Sequence, residues 1–351
     1  MTVANSSIQS SRSQRLARLI VLASIAVVGC GPVTTSVTPT SSIVPSDLAQ
    51  LFGIEWVRSD SLILEFSADS TTQFRLGELK LEGGAVRPFH APDSDCAGLE
   101  LGNPLRLSTS RIALTAVCQA TVGSGDPDRT EVLEYDLDNG DYSPWASVGG
   151  VDGPPGQIAV EPDGSRTLVA MGTLCGTIVE ATPEGAQPWP VVVSDGTNSF
   201  SLADWEPGPD CSQRGWADFP TWSPDGNQIA FFAAPSAIGT VGPARASVAS
   251  SLFLVDADGT RGQSILDGVV VPRSLRFSPD GRWLAFGGEM NGDKATWVLE
   301  PETGALHKVH DERFAWLSWS PDGSSIAGLQ ISNLDRPLDL QVVTVEASGD
   351  N

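Results

Sequence analysis

Trp222-Ser223-Pro224-Asp225-Gly226-Asn227-Gln228-Ile229-Ala230-Phe231 recurs as Phe277-Ser278-Pro279-Asp280-Gly281-Arg282-Trp283-Leu284-Ala285-Phe286 and again as Trp319-Ser320-Pro321-Asp322-Gly323-Ser324-Ser325-Ile326-Ala327-Gly328. A looser copy is Val160-Glu161-Pro162-Asp163-Gly164-Ser165-Arg166-Thr167-Leu168-Val169. Proline presets φ for the first central position of a turn, aspartate tolerates the second, and glycine accepts a positive φ without steric cost. Flanked by short apolar runs, these three residues mark a β-hairpin. A single Pro-Asp-Gly would mean only a surface turn. Copies beginning at positions 222, 277 and 319, 55 and 42 residues apart, have the spacing of a propeller or solenoid.

Composition agrees. The chain of 351 residues holds 36 Gly and 25 Pro, which suits an all-β fold rich in turns. Six four-stranded units can be laid out, with inner strands expected at 53–57, 104–107, 157–160, 219–222, 273–277 and 314–319. The sixth unit reaches the end of the sequence without a fourth strand. Residues 43–50, which include Ile43, Val44 and Leu48, are expected to supply it and close the ring, because an open ring leaves two sheet edges unpaired.

The N-terminal stretch reads as a targeting segment. Arg12, Arg15 and Arg18 precede an apolar run from position 19 to 28 that is too short to span a bilayer as a mature helix. It ends in Val27-Val28-Gly29-Cys30, which resembles the bacterial lipobox. That resemblance implies cleavage after Gly29 and acylation of Cys30 (a palmitate-type modification), since only a thiol can take the diacylglyceryl thioether. The expected domains are a signal peptide over 1–29, a Ser/Thr/Pro-rich tether over 30–45, and a propeller over 46–351. Extended at about 3 Å per residue, the tether reaches roughly 40 Å. The expected location is the cell membrane or outer membrane, lipid-anchored, on the extracytoplasmic side.

Without residues 1–29 the chain carries 18 basic against 43 acidic side chains, a net charge of −25. Such a surface repels nucleic acid and anionic headgroups, so membrane contact is expected through the lipid alone. Cys96, Cys118, Cys175 and Cys211 remain after Cys30. An even count in an exported chain suggests two disulfides, and four cysteines allow three pairings.

The repeats resemble those of the TolB-like, or WD-type, six-bladed β-propellers of bacteria. The resemblance rests on the four stretches quoted above, spans roughly residues 157–346, and implies a six-bladed all-β propeller of four-stranded antiparallel blades. It does not specify a function, because the fold hosts many. In the implied topology, A–B and C–D turns share one face, and B–C and D–A connections the other. The long connections, at 91–103, 119–130, 146–156, 194–218, 233–250 and 288–294, are all of the second kind, so that face is the one expected to carry function. All four cysteines map toward it, and Cys96–Cys118 with Cys175–Cys211 is the most economical pairing. The 194–218 insert carries Phe200, Asp204, Trp205, Asp210 and Trp216, a candidate rim for sugar or peptide; the two tryptophans can equally pack the insert onto the propeller.

Signs of catalysis are weak. His90, His307 and His310 form no metal-ligand spacing, and Cys-x-x-Cys is absent. The sequence has no Gly-x-Ser-x-Gly elbow, phosphate loop or dinucleotide fingerprint. Asp163, Asp225, Asp280 and Asp322 fall one per unit and read as turn caps, and the acidic pairs Asp93/Asp95 and Asp126/Asp128 as solvated loops. No cofactor or metal is expected. The reading is a monomeric, lipid-anchored module that binds or scaffolds an envelope protein, peptide or glycan. The alternative is a propeller enzyme with an acidic, possibly metal-assisted site at the channel mouth.

Overall fold

The computed structural model describes residues 50–67, 74–82, 86–92, 96, 98–119, 129–149, 155–171, 177–182, 185–188, 192–194, 199–201, 216–234, 249–330 and 339–345. Among them there are strands and turns and no helix.

The strands follow one another as antiparallel meanders. The first sheet is β1 (Gln50–Arg58), β2 (Ser61–Ser67), β3 (Arg75–Lys80) and β4 (Val86–Pro88). The second is β5 (Gly98–Arg106), β6 (Arg111–Gln119), β7 (Arg129–Asp136) and β8 (Tyr142–Gly149). The third, β9 (Pro155–Val160), β10 (Thr167–Met171), β11 (Thr177–Thr182) and β12 (Gly185–Pro188), touches the second where Thr182 pairs with Ser147. A small hairpin, β13 (Val192–Ser194) with β14 (Ser199–Ser201), stands apart from these ladders. The fourth group is β15 (Trp216–Trp222), β16 (Gln228–Ala234), β17 (Ala249–Asp256) and the start of β18 (Gln263–Phe277). The end of β18 begins the fifth group, with β19 (Leu284–Met290), β20 (Asp293–Glu300) and β21 (Ala305–His310). The last is β22 (Phe314–Trp319), β23 (Ser325–Gln330) and β24 (Asp339–Thr344).

Two details differ from the sequence reading. The inner strand expected at 273–277 is the end of one continuous β18, bent by register shifts and by positive φ at Gly268 (82°), Val271 (49°) and Ser274 (44°). The stretch 288–294, read as a long connection, is a tight hairpin. Asn291 (φ 53°) and Gly292 (φ 84°) are its two turn residues, the pairing that a type I′ turn requires. Of the segment expected to complete the last unit, residues 43–49 lie outside the described residues, and Gln50 opens β1 by pairing with Ser67.

The first strands of the six groups pack in succession: β1 on β5, β5 on β9, β9 on β15, β15 on β18, β18 on β22, and β22 on β1. Each hydrophobic cluster is shared by two neighbouring groups. Leu168 and Ile178 meet Trp222 and Phe231, for example, and Leu62 and Leu64 meet Ala327 and Leu329. Sheets covered on both faces explain why second strands such as Ile229-Ala230-Phe231-Phe232 are apolar throughout and do not alternate with polar residues. Between the last and fifth groups Phe314 is completely buried, and two glycines make room for it. A Cβ on Gly287 would stand 2.1 Å from the Phe314 carbonyl oxygen, and one on Gly328 would stand 2.0 Å from its ring. Gly328→Ala should therefore cost at least about 2 kcal/mol by overpacking. Gly292→Ala meets open space and only strains φ, at about 1 kcal/mol. Urea unfolding of the two variants separates the steric from the conformational effect.

Candidate binding site at the axial cavity

The repeated turn is a hydrogen-bonded unit in which serine is the hub. Ser223 Oγ donates to Asp225 Oδ1 (2.6 Å) and accepts the Gln228 amide (2.9 Å), while Asp225 Oδ1 also accepts the Asn227 amide (3.1 Å). The backbone closes around it: Gly226 N donates to Ser223 O and Ser223 N to Gln228 O. Ser278 with Asp280 and Trp283, and Ser320 with Asp322 and Ser325, repeat the pattern. All three serines are buried. The Ser320 hydroxyl, with Ser324, holds the Asp322 carboxyl down at about 2, and the Ser223 hydroxyl lowers Asp225 likewise. In the looser copy Glu161 replaces the serine, and Ser165 Oγ donates to it. The aspartates are turn caps, as their spacing suggested.

Proline and glycine of these turns also lie near one another across units. A Cβ on Gly226 would lie 3.6 Å from Pro162, one on Gly281 3.4 Å from Pro224, and one on Gly323 3.5 Å from Pro279. At the head of this series Gly164 faces the Trp145 ring. The turns therefore form a continuous rim.

Inside that rim lies a cavity of about 400 Å³. Every first strand contributes to its wall, through Glu55, Arg106, Ala159, Thr221, Arg276 and Ser318 among others, each of the six standing immediately before an apolar residue. Trp145, Trp222, Phe277 and Trp319 supply apolar surface. Side chains cross-link the strands beneath. Arg276 Nη1 donates to Gln157 Oε1 (2.8 Å), Gln157 Nε2 donates to Ser274 Oγ (3.0 Å), and Ser274 Oγ also accepts the Leu317 amide (3.3 Å). Ser318 Oγ accepts the Trp56 amide (2.9 Å), bridging the last and first groups. Arg106 Nη1 donates to the Trp56 carbonyl (3.1 Å).

Glu55 is 4% exposed, and its Oε1 accepts the Arg106 amide (3.1 Å). Burial pushes its carboxyl up, opposed by Arg276 and then Arg106, with a smaller opposing contribution from the Ser318 hydroxyl; burial likewise pushes Arg276 down, opposed by Glu55. Among the described residues, six buried side-chain polar atoms make no hydrogen bond. Three of them, Glu55 Oε2, Arg276 Nε and Trp222 Nε1, belong to residues of this wall. Such atoms are costly unless something meets them.

Glu65 on β2 lies deeper. A Cβ on Gly53 or Gly102 would come 2.7 or 2.9 Å from its carboxylate oxygens, so both glycines are clearances for it, and the Asn103 amide donates to Oε2 (2.9 Å). Burial pushes its carboxyl up to about 7 against the Asn103 bond, and Glu100 adds to the rise. The space beside it is about 10 Å³, room for about one water.

Of the residues singled out from sequence, Cys96 and Cys118 form a disulfide with a Cα–Cα distance of 5.3 Å, one of the two pairs expected. Phe200 falls in β14, and Trp216 opens β15 opposite Ala234. Cys30, Cys175, Asp204, Trp205, Asp210 and Cys211 lie outside the described residues. The histidines are dispersed: the Tyr142 hydroxyl donates to the His90 carbonyl, His307 stacks edge-on with Trp283, and His310 Nδ1 accepts the Glu312 amide. Among the described residues no three His, Cys, Asp or Glu side chains are grouped to hold a metal ion. The cavity opens among the tight turns. Sequence reading missed Glu55 and Arg276, although a signal was present: a charged side chain within an apolar first strand, one position ahead of Trp56 or Phe277.

No family model matches the sequence, and no curated protein is similar to it. Solved structures are. An oligogalacturonate lyase in complex with manganese is 12% identical, with 90% of this chain and 97% of that one covered and a TM-score of 0.50. TolB from Acinetobacter baumannii is 15% identical over 87% of this chain and 65% of that one, with a TM-score of 0.49. The β-propeller domain of the Trilobed protease from Pyrococcus furiosus is 12% identical over 87% and 100%, with a TM-score of 0.47. At these identities the likeness is one of fold alone, and the fold is an all-β propeller.

The Glu65 environment makes stability depend on pH. Its folded-state value lies above the unfolded one, so its contribution is fully present below about pH 4.5 and is lost as pH rises through about 7. Glu65→Gln should remove that dependence and stabilise the protein at pH 8 by about 3 kcal/mol. Urea unfolding of both proteins from pH 4.5 to 8 measures it, and parallel curves would show that Glu65 titrates normally.

Proposed function

We propose that the chain is a lipid-anchored, extracytoplasmic, six-bladed β-propeller that binds an envelope protein, peptide or glycan. The succession of first-strand contacts, ending with β22 on β1, supports a closed ring of six blades. Residues 43–49, just before β1, would complete the sixth blade, and the lipobox-like Val27-Val28-Gly29-Cys30 supports the anchor. The observation that carries binding is the cavity itself: a concave site in which aromatic surface lies beside a few charged side chains is the usual make-up of a ligand site.

One observation favours catalysis, the buried Glu65 carboxyl near neutrality, which could act as a general acid. The space of about 10 Å³ beside it admits no substrate, so binding is the stronger reading.

Two measurements test this. Labelling with a palmitate analogue should tag the wild type and not Cys30→Ala, and equal labelling defeats the lipid anchor. Affinity capture from bacterial envelope extract should retain a component on the wild type and lose most of it on Arg276→Met, which keeps bulk and removes the charge. Equal retention by the two proteins would move the binding surface away from the cavity.

A further inference from the structure

The Cys96–Cys118 disulfide borders a second cavity, which shares no lining residue with the axial one. It measures about 560 Å³, and Arg129 and Glu131 of β7 and Tyr142 of β8 also line it. Both cysteines are half-buried, so the bond stands at the edge of the cavity and not within the core. The fold does not depend on it. Gly98 and Leu99 already pair with Gln119 and Cys118 in the β5–β6 ladder, and the Tyr142 hydroxyl holds the His90 carbonyl (2.7 Å). The chain on each side of the bond is thus held by other means.

The two sulfurs differ in their surroundings. Arg129 stands directly opposite Cys118 in the β6–β7 register, and its Nη2 donates to Cys118 Sγ at 3.5 Å in an exposed contact. Among the described residues that line the cavity, Arg129 is the only arginine or lysine. A cation beside a cysteine favours the thiolate and lowers its pKa. Glu131, one register pair along β7 and opposite Ala116, acts against it, as does Asp141 ahead of β8; His90 and Tyr142 are the other titratable groups of the lining. The guanidinium is the group in contact with the sulfur, and the strand register keeps it there whether or not the disulfide is closed.

In thiol–disulfide exchange the thiol of lower pKa leaves faster, so its partner is the sulfur attacked. We propose that Cys96–Cys118 is an exchange site for a thiol compound entering the cavity, with Cys96 the sulfur attacked and Cys118 the leaving thiolate held by Arg129. The incoming thiolate bonds to Cys96 Sγ, the Cys96–Cys118 bond breaks, and its electron pair departs on Cys118 Sγ. A second thiolate then removes the first as a symmetrical disulfide and releases Cys96. Two thiols are oxidised, one protein disulfide is reduced, and each attacking thiolate is replaced by a cysteine thiolate.

The probe is 2-mercaptoethanol, added to the folded full chain in detergent solution. Free thiols are trapped with N-ethylmaleimide and the peptides mapped by mass. The expected early product carries the mercaptoethanol adduct on Cys96 and a trapped thiol on Cys118, with tryptophan fluorescence unchanged. In the reduced protein, the pH midpoint for alkylation of Cys118 should lie at least about one unit below that of Cys96. Arg129→Met should slow opening by about threefold for each unit by which it raises the Cys118 midpoint, and Arg129→Lys should restore the wild-type rate. An adduct on Cys118, opening only in urea, or equal midpoints for the two cysteines would each overturn the assignment. These three readouts use the wild type alone and decide the matter if the variants do not fold. Opening of Arg129→Met at the wild-type rate would overturn it as well.

Discussion

A serine hydroxyl buried at the base of each repeated turn holds the tight-turn face together. It donates to the turn aspartate and accepts the amide at the start of the next strand, so one side chain fixes the turn and the strand that leaves it. A buried hydroxyl without both partners is costly, which makes the geometry all-or-none. With the turn so fixed, its proline and glycine come to lie near those of neighbouring units. The strand after the turn is then aligned for the apolar packing that fills the space between sheets.

The sequence reading recovered what depends on local chemistry. The turns, the apolar second strands and the order of the groups follow from Pro-Asp-Gly and from the short apolar runs, because φ preferences and strand burial act over a few residues. The Cys96–Cys118 pair was reached through topology, since both positions were assigned to one side of the same pair of units. Ser223, Ser278 and Ser320 were quoted in the motif without a role, because their importance is a matter of burial, which a single repeat does not reveal. Asn291-Gly292 carried a plain hairpin signal that was read as part of a longer connection.

Glu55 and Arg276 belong to a different class. They lie 221 positions apart in the sequence, and only the fold brings them to one cavity. Their pattern is visible afterwards as a residue on each first strand, immediately before an apolar residue. Recognising it beforehand needs the premise that first strands line an axis. The long connections drew attention because length is visible in a sequence and convergence is not.

The approaches between turns have a direction. Pro162 lies beside Gly226, Pro224 beside Gly281 and Pro279 beside Gly323, each proline where a Cβ on the glycine of the following unit would reach it. These are head-to-tail joints, of the kind that can be repeated by rotation. Within this run every unit presents the surface that its successor needs. A duplicated copy of the unit carrying Pro279 and Gly281 would find a ready partner on either side, whereas the first two units have no such turn and offer no matching joint. The part of the chain with near-identical repeats is thus the part in which a unit could be gained or lost by gene duplication, and the divergent first two units are not.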